Sequence, residues 1–348
     1  MPLPQIISLA VIIMLALFLP FLVRKVEEQL EAFLFILGVA AVSITGVWSA
    51  HLALEAATEP VKISLAVLIM GLMFRFFRKQ INIFIESAER KAGLRPAIFC
   101  FILALSLLSS IITAIIAALV LCEIVATLKL SRRDTVWVII MGCFAIGLGA
   151  VLTPLGEPLS TIVTSKLSGP PHEAGFFYLF RLLWIFIVPG VLFFAAAAAR
   201  IKDGQNKTEV RLEQESVKQI IIRAAKVFLF VAALVLFGKG LTPLAEITIM
   251  KLPSWALYWA NGISAILDNA TLAAAEIVPA MTNEQIKFLL IALIVSGGFL
   301  IPGNIPNIIC ASKFKIKSKE WATSALPLGL AVMLVYFIIL NLMPVSKI

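Results

Sequence analysis

The chain has 348 residues, of which 61% are hydrophobic and 14% charged, and its mean hydropathy is +1.03. No soluble core holds that much apolar surface, so the composition excludes a soluble globular protein and predicts an all-α polytopic membrane protein. The net charge of +9 is concentrated in loops, so it predicts contact with a lipid bilayer and not with nucleic acid.

Eight apolar stretches are predicted to span the membrane, because each is close to or above the ~20 residues that a bilayer requires. They are 4–23, 32–52, 60–78, 134–165, 176–199, 219–247, 285–312 and 320–344. The first has neither a basic leader nor a cleavage site before Arg24. We therefore expect it to be a retained helix and not a signal peptide.

Two further apolar stretches, 96–128 and 250–281, are too long for one straight helix and carry small polar residues at their centres. Each is predicted to be a re-entrant hairpin that reaches the membrane midplane and returns. With neither hairpin crossing, the basic loops at 200–218 and 313–319 fall on one side. The loop 168–175, which has no lysine or arginine, falls on the other. The positive-inside rule then predicts that the basic side is cytoplasmic.

One sequence element occurs twice in this apolar chain, at 147–166 and 295–313. The matching positions are Gly149 and Gly297, Pro154 and Pro302, Pro158 and Pro306, and, one residue out of step, Ser165-Lys166 and Ser312-Lys313. Gly156, Gly298 and Gly303 lie within the same segments. Both helices are predicted to break inside the membrane, and paired breaks of this kind point to the binding site of a transporter.

The predicted organisation is a pair of helices (1–52) followed by two copies of one unit. Each copy has a helix, a hairpin, a broken helix and a helix. The copies occupy 60–199 and 219–344, with broken helices at 134–165 and 285–312, and 200–218 is a cytoplasmic linker. Because the hairpins open to opposite sides, the repeats are inverted, which suits alternating access.

The segments NGISAILDNAT (261–271) and GAVLTPLGEPLST (149–161) resemble motifs of the ion transporter superfamily. The chain is most similar to the D-type sodium/proton antiporters and to an uncharacterised prokaryotic family assigned to the cation transporters. Arsenite permeases and dicarboxylate/sodium symporters are more distant. The resemblance covers about 60–344. It implies an elevator-type homodimer in the cytoplasmic (inner) membrane of a prokaryote.

The chain departs from the motif pattern in its other two elements. The first hairpin tip has Ser109, Ser110 and Thr113 and lacks the Asp-Asn pair of the second. The second break has Asn304 and Asn307 but no acid.

Two acids, Asp268 at the second hairpin tip and Glu157 in the first break, are expected deep in the membrane. An ionisable group there is expensive and persists mainly where it binds an ion or relays a proton. The polar side chains expected to converge around the two acids are Asn261, Ser264, Asn269, Thr271, Thr153, Asn304, Asn307, Ser109, Ser110 and Thr113. Such oxygen ligands suit a hard cation. We expect bound sodium, with Asp268 and Glu157 as its main ligands, and no other cofactor.

Structural roles stay open for several of these residues. Serine and threonine in membrane helices often bond to their own helix, and Asp268 is placed to cap the second arm of its hairpin. Glu276 is expected near the hairpin end, where water reaches it.

The function favoured by these residues is secondary exchange of a monovalent cation, sodium first, for protons. Sodium-coupled uptake of a dicarboxylate or an oxyanion is the alternative, since half-helix N-termini suit an anion. An intramembrane hydrolase with an Asp/Glu pair is a weaker alternative from another class, because it leaves the duplicated breaks unexplained. The expectation is that the protein is not an enzyme.

Overall fold

The computed structural model describes residues 1–23, 25–26, 29–128, 130–201, 216–249, 253–266 and 269–343. All regular structure in these ranges is helical. Within them, six helices are long and apolar enough to cross a membrane, over 3–20, 94–112, 132–150, 178–198, 217–244 and 318–342. The prediction of an all-helical, multi-pass membrane protein is confirmed at this level.

The helices are numbered here in chain order. They are α1 (Leu3–Leu22), α2 (Leu30–Thr45), α3 (Ala50–Ala92), α4 (Leu94–Ile112), α5 (Ala114–Thr127), α6 (Arg132–Ala150), α7 (Pro158–Lys166), α8 (Tyr178–Ala198), α9 (Val217–Ile249), α10 (Ser254–Ala260), α11 (Asn269–Glu276), α12 (Asn283–Ser296), α13 (Ile305–Phe314) and α14 (Ser318–Leu342). Short 3-10 segments occupy Asn261–Ala265 and Ile301–Gly303.

The second and third predicted spans have different bounds in the structure. Helix α2 ends at Thr45 because Gly46 adopts a left-handed conformation, with φ of 69°. Helix α3 then begins after Ser49, whose side chain accepts from the Leu52 amide at 3.0 Å. It runs for 43 residues with Pro60 inside it, about 65 Å at 1.5 Å per residue. That length is about twice the ~30 Å hydrocarbon core, so α3 extends beyond the predicted 60–78.

Both long segments that contain the repeated element are interrupted. Helix α6 ends at Ala150 and α7 begins at Pro158, and the intervening residues include Pro154 and Gly156. Helix α12 ends at Ser296, and α13 begins at Ile305 after the 3-10 segment that contains Pro302. Proline lacks an amide hydrogen and its ring clashes with the preceding turn, which accounts for the loss of α-helix at both places.

The first parts of the two broken helices form the centre of the molecule. Every side chain from Ile286 to Ser296 in α12 is buried, as is nearly every one from Thr135 to Ala150 in α6. Helix α6 packs against α4, α5 and α8, and α12 packs against α10, the adjoining 3-10 segment and α14. Each central helix therefore contacts the hairpin segment of its own repeat.

The second parts of the broken helices cross over to the other repeat. Helix α7 packs against α11, and α13 packs against α5. A lysine fixes each contact: Lys166 Nζ donates to the Ile277 carbonyl at 3.2 Å, and Lys313 forms an ion pair with Glu123. The segments predicted as two repeats therefore contact each other through α7 with α11 and α13 with α5.

Large apolar side chains cover the outside of the molecule along α1, α3, α8 and α14. Leu22 and Phe76, for example, are 77% and 79% exposed. Exposed apolar surface of this extent is the surface that contacts lipid in a membrane protein.

Candidate functional site

The first break is fastened to the tip between α4 and α5. The Ala114 amide donates to the Gly156 carbonyl at 2.8 Å, and the Thr153 hydroxyl donates to the Ser110 carbonyl. Gly149 packs so closely that a Cβ placed on it would lie 1.7 Å from the Ser106 carbonyl oxygen. Only glycine permits this approach of two backbones.

Thr113 marks the tip itself and has an unusual backbone conformation. Its φ is 78° and its ψ is 148°, a region that a β-branched residue rarely occupies. Its hydroxyl oxygen accepts from the Ile116 amide at 3.4 Å and begins α5. Strain of this kind persists where the surroundings enforce it, which is common at ligand sites.

The second break is fastened to the second hairpin segment in a similar way. Asn307 Nδ2 donates to the carbonyls of Gly297 and Leu300, at 2.9 and 3.0 Å. The Asn269 amide lies against Gly297, where an added Cβ would come within 2.5 Å of its Nδ2. Gly303 similarly lies beside the Gly297 carbonyl. Asn269 and Asn307 therefore both lie against Gly297, the residue that follows α12.

The two second half-helices begin with equivalent residues. Glu157 precedes α7 with φ and ψ of −157° and 160°, and Asn304 precedes α13 with −155° and 146°. Each follows a glycine, Gly156 or Gly303. The alignment that pairs Pro158 with Pro306 therefore fails by one residue here. In the structure Glu157 is equivalent to Asn304, with the same one-residue offset that pairs Ser165-Lys166 with Ser312-Lys313.

Four helices of the described chain begin at one cavity of about 460 Å³. It lies where the starts of α5, α7, α11 and α13 come together. The lining residues are Thr113, Ala114, Ile115, Leu155, Gly156, Glu157, Pro158, Leu159, Thr161, Ile162, Asn269, Ala270, Asn304, Ile305 and Pro306. The described residues of both predicted hairpin tips and of both interruptions contribute to it.

The charge in the cavity has two opposing sources. Helix N-termini carry a partial positive charge and free amide groups. Glu157, buried at 8% exposure, is the one ionisable side chain among the lining residues that the structure describes. The side-chain oxygens Oδ1 of Asn269 and Asn307 are buried with no hydrogen-bond partner in the described chain. Carboxylate and amide oxygens of this kind are ligands for a hard cation.

The residues that line this cavity lie within the match to a sequence-family model. A family model described as "Protein of unknown function (DUF1646)" matches residues 6–343. The chain belongs to the DUF1646 family. No curated protein matches it. The match extends from α1 to α14, so it includes every element that lines the cavity.

Among the predicted site residues of this DUF1646 protein, Thr113, Glu157, Asn269 and Asn304 line the cavity. Asn307 lies behind it at the second break. Asp268 is outside the described residues, as are the side chains of Ser264 and Thr271. Asp268 immediately precedes Asn269, the first residue of α11.

Three predicted hydroxyl ligands of the DUF1646 chain donate hydrogen bonds to backbone carbonyls. Ser109 donates to the carbonyls of Ser106 and Ile146, at 2.6 and 3.1 Å, and Ser110 donates to Leu107 at 2.8 Å. Thr153 bonds to Ser110. These residues shape the tip and the break, which is the structural role left open for them.

Asn261 and Glu276 lie away from the cavity lining and bond to each other. Asn261 Nδ2 donates to Glu276 Oε2 at 2.9 Å. The expectation that water reaches Glu276 is wrong, since this residue is only 4% exposed. It is the acid that sequence reasoning missed. One signal was available in the sequence. Asn261 and Glu276 lie about equally far from residue 268, the predicted centre of the hairpin, so they face each other on opposite arms.

Proposed function

We propose that this protein is a secondary active transporter that exchanges a monovalent cation, sodium first, for protons by alternating access. The observation that carries the proposal is the meeting of Glu157 and Asn304 in one cavity, each at the start of a half-helix from a different repeat. Two structurally related halves that share one site have the symmetry that alternating access requires.

The cation would be held by oxygen atoms. Glu157 supplies a carboxylate, and Asn269 supplies an amide oxygen beside it in the same lining. Asp268, next to Asn269 in the chain, is the second proposed carboxylate ligand. No lysine or arginine is present in the lining that the structure describes, so no fixed side-chain cation competes for the site.

Exchange follows from competition for the same carboxyl groups. A carboxyl group away from water favours its neutral form, whereas a bound cation favours the ionised form and expels the proton. A site that holds either the cation or the proton, but not both, couples the two fluxes. The protein would act as a carrier without chemical catalysis, as an elevator-type homodimer in the inner membrane of a prokaryote.

Sodium-coupled transport of an anion is a second candidate, and the four converging helix N-termini favour it. Helix N-termini bind phosphate, sulfate and carboxylate groups through free amides and the helix dipole. Against it, the lining carries a carboxylate, Glu157, and no basic side chain among its described residues.

The test is ion flux in proteoliposomes that contain a pH-sensitive dye. Addition of sodium, lithium or potassium to one side should change the lumenal pH. Protein-free liposomes should not respond, and Glu157→Gln should require a higher cation concentration for the same response. The anion candidate is tested in parallel with radiolabelled citrate and arsenite under a sodium gradient. Anion uptake without a cation-driven pH change would replace the antiport proposal.

A further inference from the structure

Asn261 and Glu276 join the two arms of the second hairpin segment. Asn261 follows α10 at the start of the 3-10 segment, and Glu276 is the last residue of α11. Their bond, from Nδ2 to Oε2 at 2.9 Å, links the arms between side chains that are 0% and 4% exposed. The Asn261 carbonyl also accepts from the Ser296 hydroxyl at 2.9 Å, which ties the pair to the end of α12.

This hydrogen bond uses Asn261 Nδ2 and Glu276 Oε2, so one further side-chain oxygen of each residue requires a partner. Glu276 Oε1 and Asn261 Oδ1 are buried, and neither has a hydrogen-bond partner in the part of the chain that the structure describes. Buried acceptors without partners are rare in native proteins and require an explanation. Both atoms are acceptors, so they cannot satisfy each other without a positive charge or a hydrogen between them.

The surroundings of the pair are unfavourable for an unpaired negative charge. Glu276 lies at the C-terminal end of α11, where the helix dipole is negative. The neighbours Ala273 and Ile277 are fully buried. Residues 254–265, on the opposite arm, carry no charged side chain.

Charged side chains do occur on the helices packed against α11. They are Lys166 on α7, Lys218, Arg223, Lys226, Lys239 and Glu246 on α9, and Glu284 and Lys287 on α12. Lys166 reaches the backbone next to Glu276, where it donates to the Ile277 carbonyl, and Lys239 forms an ion pair with Glu55. Oε1 of Glu276 lies buried within this arrangement.

We propose that Glu276 Oε1 and Asn261 Oδ1 hold one monovalent positive charge, and so form a second ion-binding site apart from the cavity. An alkali cation would be coordinated by both oxygens. A proton on Oε1 would donate to Oδ1 and complete the cyclic pair that a carboxylic acid forms with a primary amide. Either ion, the alkali cation or the proton, would neutralise the acid and give both oxygens a partner. The site does not rest on the proposed function, because neither residue lines the cavity.

Glu276→Gln is the informative variant, since glutamine fits the pair without a charge. Its Oε1 can accept from Asn261 Nδ2 and its Nε2 can donate to Asn261 Oδ1. We therefore expect a folded protein with an unchanged or higher melting temperature that has lost one bound positive charge. Asn261→Ala, which keeps the acid but removes its amide partner, should weaken binding of the same charge.

The measurement is made on the purified full chain in detergent, with two readouts for the two possible ions. Equilibrium binding of radioactive sodium counts alkali cations, and infrared absorption of neutral carboxyl groups at neutral pH detects the proton. If the ligand is sodium, Glu276→Gln should bind one fewer ion per chain. If it is a proton, wild type should show an absorption from a protonated carboxyl group that Glu276→Gln lacks, because an ordinary glutamate is ionised at that pH.

Two controls separate this site from the others. Glu123→Gln changes the comparable acid on α5, which is paired with Lys313, and should leave the sodium count at the second site unchanged. Glu157→Gln should weaken binding of the cavity ion and leave the Glu276 ion in place, so failure of one proposal is distinguishable from failure of the other. Equal sodium counts together with equal neutral-carboxyl absorption in wild type and Glu276→Gln would overturn the second site. If Glu276→Gln does not fold, an unchanged sodium affinity and an unchanged carboxyl absorption in Asn261→Ala would do the same.

Discussion

Glu157 and Asn304 occupy equivalent positions at the starts of α7 and α13, and both line the same cavity. One is an acid and the other an amide. The two halves of the site are therefore related in backbone geometry but differ in charge. In the proposed site, an ion bound between them would meet one half that carries an acid and one half that carries a neutral amide.

Glu157→Gln should weaken cation binding while leaving the protein folded. By analogy with hydrogen bonds to charged groups, loss of a charged partner costs on the order of 1.5–3 kcal/mol, so the dissociation constant should rise roughly 10- to 100-fold. Isothermal titration with sodium measures this directly. Glu173→Gln, in an exposed loop, is the matched control and should bind as wild type does. Equal affinity in both variants would remove Glu157 from the site.

Asp268→Asn should abolish cation/proton exchange in proteoliposomes, because the amide keeps the size of the side chain but cannot release a proton. The variant should elute as wild type does in size-exclusion chromatography. Loss of folding together with transport would favour the capping role for Asp268. Normal exchange in a well-folded Asp268→Asn protein would leave Glu157 as the exchanging acid.

Gly149→Ala should destabilise the protein, because the new Cβ would lie 1.7 Å from the Ser106 carbonyl oxygen. Relief of such a contact requires movement of backbone, at a cost of about 1–3 kcal/mol or more. The melting temperature in detergent is the readout. Gly169→Ala is the control, since nothing lies within 4 Å of a Cβ at that position. Equal melting temperatures would show that the first break and the hairpin tip pack less closely.

The topology prediction places residue 172 outside the cell and residue 205 in the cytoplasm. Single cysteines at these positions, in a chain whose four native cysteines are replaced by alanine, should react with a membrane-impermeant maleimide from opposite sides. Labelling of both from the same side would refute the arrangement of the hairpins.

Local chemistry made the two interruptions predictable. Proline and glycine act within a few residues of themselves, so the combinations of Pro154 with Gly156 and of Pro302 with Gly303 disfavour α-helix more than a single proline does. The bounds of α3 could not be predicted in the same way. Pro60 lies inside this long helix without ending it, and the charged residues that follow Phe77 remain helical.

Long-range contacts were not predictable from the residues alone. The burial of Glu276 depends on Asn261, fifteen positions away, and a charged residue near the end of an apolar stretch resembles an interfacial one. The roles of Ser109 and Thr153 likewise depend on which carbonyl lies within reach. The pairing of Glu157 with Asn304 was hidden by the one-residue shift between the two copies.

The crossed packing of α7 on α11 and α13 on α5 has a consequence for the origin of the molecule. Under the predicted inverted-repeat organisation, a polypeptide with one repeat alone would leave its hairpin arm and its second half-helix without partners. Two such polypeptides would complete each other by exchanging those half-helices, one inserted in each orientation. Duplication and fusion would then have converted a dimer of dual-topology subunits into a single chain, with 200–218 as the seam. Fragments severed within that seam should accumulate only when they are synthesised together.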